Sequence, residues 1–518
     1  MSYSSFTSAS VQGVDGRLVA VEVDLASGLP QIAVVGLPDP AVRESVERVR
    51  AALRNCGFQF PMQRITVNLA PADMRKEGTA YDLAIAAAIL SASGQLEGRP
   101  FEETLVIGEL ALSGELRSVP GVLPMAAEAR RLGLRRVLVP AANAAEAALV
   151  GGLDVYSARS LTELAAAFRS GGGWGALLRD REEETASGAS AEPGLGAELD
   201  YADVIGQHAA KRALAIAAAG RHNLLLSGPP GTGKTMLIRR LPGILPPMSR
   251  EEALEVTKIG SVAGKLQRRG ALMDKRPFRS PHHTISAAGL IGGGSIPRPG
   301  EATLAHRGVL FLDELPEFPR GALEALRQPL EDREVTLARA RAVYRFPASF
   351  QLAASMNPCP CGYLGAQAGS SGQPECSCSQ TAIDRYRARI SGPLLDRLDL
   401  LVDVQRPPAL DGSQSGMGSA EMRGLVARAV QAQEGRSPAS GTAWNGELSG
   451  PALRRAATLE PEAARLLQQA FDRLGISVRA HDRILKLART IADMEGFERI
   501  EAPHVAEAIH YRRLPGWS

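Results

Sequence analysis

The stretch LLLSGPPGTGKTML, Leu224 to Leu237, decides how the rest of the chain is read. It carries G-x-x-x-x-G-K-T at Gly228 to Thr235, with an apolar run before it and the helical pattern MLIRRL after it. A strand, a Gly-rich turn and a helix in that order form a phosphate loop. Gly228, Pro229, Pro230, Gly231, Thr232 and Gly233 leave room for backbone N–H groups to curl around phosphate oxygens. Lys234 is expected to reach the β- and γ-phosphates of ATP, and Thr235 to ligate Mg2+.

Downstream comes GVLFLDELPEF, where Val309–Leu312 reads as a buried strand ending in Asp313-Glu314. Acidic residues after apolar strands are common. Paired with a phosphate loop, they gain a role: Asp313 holds Mg2+ through water, and Glu314 orients and deprotonates the attacking water. Hydrolysis of ATP is the reaction expected.

The totals set wide bounds. A chain of 518 residues is too long for one core, and about two to four domains are expected. The net charge of +3 excludes a polybasic nucleic-acid coat, so any contact with DNA must come from local clusters. No apolar run approaches membrane-spanning length, and the N-terminal MSYSSFTSASVQG lacks the basic start and apolar core of a secretory signal. A cytoplasmic chain with reduced thiols is the expectation.

Four of the five cysteines nonetheless crowd into NPCPCGYLGAQAGSSGQPECSC, Asn357 to Cys378. Cys359, Cys361, Cys376 and Cys378 can close a tetrahedral, structural Zn2+ site, which would order a loop without an apolar core. Two C-x-C pairs are less diagnostic than two C-x-x-C pairs, and free thiols or a redox pair are the competing reading. Four thiolates leave no open coordination position, so the loop is not assigned catalysis.

The fold class expected is α/β: a phosphate-loop core with a parallel sheet flanked by helices, a helical C-terminal lid, and an α+β domain in front. The boundaries are 1–170 for the first domain, 171–198 for a Gly/Ser/acid-rich linker and 199–408 for the core. A second linker region covers 409–449, and the lid 450–518.

Several stretches together resemble the magnesium-chelatase-like AAA+ family of bacterial ComM and YifB proteins. They are DVIGQHAAKRALAIAAAGRHNLLLSGPPGTGKTML, FRSPHHTIS, HRGVLFLDELPEF, EALRQPLEDREV, MNPCPCGY, RISGPLLDRLDL and LKLARTIADMEG, with VVGLPDPAVRESVERVRAAL near the N-terminus. The resemblance implies that Asn357 is sensor 1, Arg397 an arginine finger reaching a neighbouring subunit, and Arg479 sensor 2, with Arg483 one turn on as the alternative. A finger acting on a neighbour implies a ring, and the family a homo-hexamer. Residues 1–170 also resemble the Lon-type protease domain, of the ribosomal-S5-like fold. There the Ser-Lys dyad positions fall at Ala80 and Leu123, so proteolysis is not expected. Assembly or partner binding is expected of this domain instead.

Residues 258–307 hold nine Lys/Arg against two acids. Such clustering suits a phosphate backbone, although charge runs are usually solvated faces. Lys265, Arg268, Arg269 and Arg298, with Arg339 and Arg341 on the hairpin REVTLARARAVYRF, are the candidate DNA contacts. Few aromatics interleave with them, which favours backbone tracking over base stacking. His282 and His283 in SPHHT read as hydrogen-bonding residues.

The resemblance implies an ATP-driven DNA motor for branch migration of recombination intermediates. It also implies a role in integrating DNA during natural transformation, with recombination proteins as partners. A protein remodeller and a magnesium-chelatase-type metal-insertion subunit are the alternatives.

Overall fold

The computed structural model describes residues 2–169, 172–177, 199–266, 270–294, 297–339, 342–365, 375–406, 416–436, 444–474 and 477–512. The chain divides into two compact units: Met1–Glu192 with Ala253–Met273, and Pro193–Glu252 with Asp274–Ser518.

The first unit is built on a seven-stranded mixed sheet. Its strands are β1 (Tyr3–Gln12), β2 (Asp15–Ala26), β3 (Gln31–Val35), β4 (Arg64–Ala70), β5 (Thr104–Val106), β8 (Arg136–Pro140) and β9 (Asp154–Ala158). The order is β3-β4-β2-β1-β5-β8-β9. The two-residue strands β6 (Glu109–Leu110) and β7 (Leu116–Arg117) pair separately. In β2 the side chains alternate, with Val19, Val21 and Val23 fully buried, as a half-covered antiparallel strand requires. The helix Pro40–Asn55 starts on Asp39, whose carboxylate accepts the Val42 N–H at 2.7 Å, with Pro40 in its first turn. Asp82–Ala92 is buried nearly all round, which its Ala/Ile/Leu composition allows.

Two local expectations change here. β1 is a Ser-rich strand that apolar patterning did not mark; it is held by ten register pairs to β2. The start of the 171–198 segment is anchored: Trp174 packs 5.2 Å from Phe101 and 5.1 Å from Phe168. Residues 178–198 lie outside the described part.

The second unit holds a five-stranded parallel sheet of β10 (Leu224–Ser227), β11 (Phe278–Arg279), β14 (Val309–Leu312), β17 (Gln351–Met356) and β18 (Leu400–Asp403). The order is β11-β14-β17-β10-β18. β10, β14 and β17 are buried throughout, as expected of strands covered on both faces. Two hairpins flank them: β12 (Gly292–Gly293) with β13 (Arg298–Pro299), and β15 (Glu334–Arg339) with β16 (Ala342–Pro347).

One core joins this sheet to the helices that follow it. Leu226, Phe311 and Val402 cluster with Leu214 and Ile216 of His208–Gly220, and with Ile484, Leu487 and Ile491 of Val478–Glu495. The helix Ser419–Arg436 adds Met422, Val426 and Ala429 to the same cluster. This helix lies within 409–449, read above as a linker. Its apolar stripe is narrow and follows a Gly/Ser run, so the period was masked. In the described residues no helix is long and apolar enough to cross a membrane.

Candidate active site

Ligands of open parallel sheets bind beyond the carboxyl ends of the strands. Here those ends gather the predicted chemistry. β10 runs into the phosphate loop, β14 into Asp313-Glu314 and β17 into Asn357. β17 sits between β10 and β14, in register Ser227 to Met356 and Leu312 to Ala354. Asn357 therefore leaves the sheet beside Gly228.

The loop takes the shape its glycines permit, with φ of 78° at Gly231 and 86° at Gly233. Lys234 folds back over it. Its ammonium donates to the carbonyls of Gly228 (2.6 Å) and Pro229 (2.8 Å) and to Asn357 Oδ1 (3.2 Å). Burial lowers the Lys234 pKa to about 8, against the opposing pull of Asp313 and Glu314. Thr232 closes the turn on the Pro229 carbonyl at 2.9 Å, and Gln207 donates to the Thr232 carbonyl at 3.3 Å. Beside the loop lies a cavity of about 440 Å³, bounded by Val204, Ile205, Pro230, Gly231, Met236 and Arg406. A partly apolar cavity next to a phosphate loop suits a nucleoside.

Thr235 Oγ1 donates to Asp313 Oδ2 at 2.9 Å. A hydroxyl and a carboxylate so close are hard oxygen donors of the kind Mg2+ takes. Asp313 Oδ1 accepts a short hydrogen bond from the Ser355 hydroxyl, and the Glu314 N–H points to both groups. Glu314 itself has φ of 55°, a left-handed conformation costing a non-glycine residue roughly 1 kcal/mol. Such strain clusters at functional sites. The Glu314 carboxylate is half exposed, 3.8 Å from His283 Nδ1.

Ser355, His283 and Gln207 were not foreseen as members of this site. Ser355 could have been found, because it stands two residues before Asn357 on the same strand. His283 could not, since its approach to Glu314 depends on the pairing of β11 with β14.

The other predicted residues lie apart from this cluster. Arg397 bonds the Pro393 carbonyl at 2.8 Å and makes a short ion pair with Glu331. Arg479 is exposed and makes no ion pair among the described residues. Arg483 instead binds Asp399 at 2.5 Å. Burial would raise the pKa of Asp399, but Arg483, His222 and Lys486 outweigh it and hold the carboxyl far below its usual range.

The four cysteine sulfurs converge. Cys359 lies 3.4 Å from Cys361 and 3.7 Å from Cys376, and all four sulfurs fall within 4.8 Å of one another. A tetrahedron with Zn–S of about 2.3 Å has edges of roughly 3.8 Å, so this donor set could hold Zn2+. Gly362, at φ 88°, lets the loop lie against the phosphate loop: a Cβ there would meet Pro230 Cδ at 2.8 Å.

The basic segment is less free than its charges suggested. Arg276 is buried on Glu252 at 2.8 Å, Arg279 grips Glu301 through two bonds, and Arg307 approaches Glu252. Lys265 is exposed and belongs to the first unit; Arg298 and Arg339 are exposed in the second. Arg339 donates to the Gly294 carbonyl at 3.1 Å, which joins the two hairpins. Arg268, Arg269 and Arg341 lie outside the described residues. In the first unit, Ala80 and Leu123 are buried apolar residues, and the Thr79 hydroxyl is engaged by Glu109 at 2.5 Å.

Known proteins resemble this chain over nearly its whole length. Three family descriptions match in series: "Subunit ChlI of Mg-chelatase" over residues 21–143, "Magnesium chelatase, subunit ChlI" over 200–411, and "Magnesium chelatase, subunit ChlI C-terminal" over 416–512. The chain is 44% identical to YifB of Salmonella typhimurium, across 99% of this chain and 98% of that protein. It is also 44% identical to the competence protein ComM of Haemophilus influenzae, with the same coverage. A shorter match, 32% identical over 150 residues, covers 27% of this chain and 26% of Lon protease 2 of Bacillus subtilis. The AAA+ core of such proteins implies ATP and Mg2+ as cofactors. The chain belongs to the ComM/YifB family of magnesium-chelatase-like AAA+ ATPases.

Proposed function

We propose that the protein is an ATP-hydrolysing DNA motor that works as a homo-hexameric ring and drives branch migration of recombination intermediates. The observation that supports hydrolysis is the convergence of Lys234, Thr235, Asp313, Glu314 and Asn357 at the ends of three adjacent strands. Bound Mg·ATP supplies the phosphoryl group whose transfer to water releases the driving free energy. Lys234 places positive charge on the phosphates, and Asn357 holds its ammonium in line. Thr235 and Asp313 hold Mg2+. Glu314 Oε2 takes the proton of the attacking water, with His283 positioned to steady that carboxylate. Arg397 serves a neighbouring subunit after release from Glu331, and Arg479, without an ion pair among the described residues, reaches phosphate.

DNA as the cargo is supported by the exposed Arg298 and Arg339 on touching hairpins, and by the competence function in the name of ComM. Lys265, Arg268, Arg269 and Arg341 belong to the same DNA-binding set. The cysteine loop holds a structural Zn2+. The N-terminal domain has no cleavage dyad and acts in assembly.

The test is ATP-dependent processing of a labelled four-way DNA junction, with Glu314→Gln as control. Forked arms from the wild type alone support the motor. Hydrolysis indifferent to DNA, with the junction intact, refutes it. One observation favours a protein remodeller instead: Val343, beside the tip of the β15–β16 hairpin, is exposed and apolar. Loss of protein-substrate processing in Val343→Ser, with junctions untouched, would establish that reading.

A further inference from the structure

The helical C-terminal region contains a second cavity, of about 680 Å³, remote in sequence from the phosphate loop, Asp313-Glu314 and Asn357. Its floor is one face of the helix Ser419–Arg436, where Arg428, Ala432 and Arg436 recur at helical spacing. Arg455, from the last turn of the helix Gly450–Ala456, forms one wall. The turn Phe497–Arg499, after the helix Val478–Glu495, forms the other.

Four arginines line this space against two acids, Asp493 and Glu498. Asp493 is already satisfied: Arg436 grips it through both oxygens at 2.6 and 2.5 Å, Arg489 adds a contact at 2.9 Å, and Asn445 donates at 2.7 Å. Arg436 is therefore part of the frame. Arg499 pairs with Glu460 at 3.2 Å on the open surface, a contact that solvent screens. Arg428 and Arg455 are exposed and make no ion pair among the described residues. Phe497 stands beside them with 43% of its surface in water, its ring fixed edge-on against His504 at 5.1 Å.

An exposed aromatic ring next to unpaired guanidiniums in a concave site has a specific chemistry. Guanidiniums take phosphate oxygens bidentately. An aromatic face takes a nucleobase by stacking, without regard to its identity. An acidic peptide would use the arginines but leave Phe497 idle. The basic segment 258–307 offers charge with few aromatics in its sequence.

We propose that this lid cavity binds single-stranded nucleic acid, with adjacent phosphates on Arg428 and Arg455 and a base on Phe497. The inference takes from the motor reading only its choice of polyanion. It adds a sequence-independent strand contact built on the lid, where hydrolysis-linked movement can act on it.

The test uses the full chain and a fluorescein-labelled oligothymidylate, with anisotropy read across a salt series. Arg428→Ala combined with Arg455→Ala should weaken binding about tenfold and reduce the log–log salt slope by about 1.4, since each single-strand phosphate contact contributes about 0.7. Arg428→Lys with Arg455→Lys should restore the slope. Phe497→Ala should weaken binding about tenfold with the slope unchanged. Basal ATP hydrolysis should stay at wild-type values in all three, and the melting temperature in both arginine variants.

Unchanged affinity and slope in the double alanine variant would overturn the lid site. So would an abasic phosphodiester oligomer that binds as tightly as oligothymidylate. Failure of junction processing with lid-dependent strand binding intact would refute the motor and leave this site standing. Junction processing without any affinity for oligothymidylate would do the reverse.

Discussion

Replacing Asp399 by Asn tests how the helix Val478–Glu495 and the segment around Arg397 are held together. The Asp399 carboxylate is nearly dry, with 7% of its side chain exposed. One oxygen meets Arg483 of the lid helix Val478–Glu495 at 2.5 Å; the other accepts the Asn223 N–H at 3.0 Å and lies 3.6 Å from His222. Asn223 in turn donates its side-chain amide to the Arg397 carbonyl at 3.0 Å. Removing one member of a buried pair costs about 3–5 kcal/mol. Arg483 keeps 21% of its side chain in water, so the lower end applies, about 3 kcal/mol. At about 2 °C per kcal/mol for a unit of this size, melting of the C-terminal unit should fall by about 6 °C. The sign with pH follows from the depressed carboxyl. Its contribution is present above the unfolded pKa of about 3.9 and is lost as pH falls from there toward the lower folded value. Scanning calorimetry of wild type and Asp399→Asn across that window checks both points: the gap should be full near neutrality and close on acidification. A variant that melts within about 1 °C of wild type at neutral pH would refute the clamp.

Glu314→Gln should lower phosphate release at least about 100-fold while leaving nucleotide affinity near wild type, as read by a fluorescent ATP analogue. Because burial sets the Lys234 pKa at about 8 and phosphates bind the charged amine, ATP affinity should be flat below that pH. It should weaken above it by roughly tenfold per pH unit, and a flat titration up to pH about 10 would show that the shift is absent. Purified protein should carry one Zn2+ per chain by elemental analysis. Cys376→Ser with Cys378→Ser should lose it and make the segment after Asn357 sensitive to protease.

The nucleotide centre was legible because its residues are consecutive. Gly228–Thr235 and Asp313-Glu314 carry their own strand and turn signals, and parallel pairing can bring them together in few ways. The strand that separates them is visible only in the fold: β17 enters between β10 and β14, and Ser355 arrives with it. Part of the basic segment's charge is paired within the fold. Nothing local shows that Arg276 is buried on Glu252, twenty-four residues earlier, or that Arg279 is spent on Glu301. Net charge counts ions, whereas recognition needs ions without partners, and partners are a tertiary fact. β1 was missed because serine hides the period-two signal. The helix Ser419–Arg436 was missed because alanine and glycine dilute a stripe only one residue wide per turn.

The position of the cysteines has a physical reason in this frame. Asn357 accepts from the Lys234 ammonium at 3.2 Å and sits at the end of a strand, where the chain is about to leave the sheet. Two residues on, Cys359 is fully buried, and Gly362 lies against Pro230 of the phosphate loop. Tyr386, whose phenol burial pushes up to about 12, interacts with the Asn357 backbone from beyond the cysteine segment in sequence. The sequence between Cys361 and Cys376 is poor in apolar residues, and a metal on the four sulfurs would fix both ends of it. It would do so next to the side chain that accepts from the Lys234 ammonium. Ordering by a metal needs only a few residues, whereas an apolar core of comparable strength would need a larger insertion in a crowded place. Thiols crowded directly after Asn357 would thus, with a metal bound, be a compact way to hold a polar residue at a strand terminus.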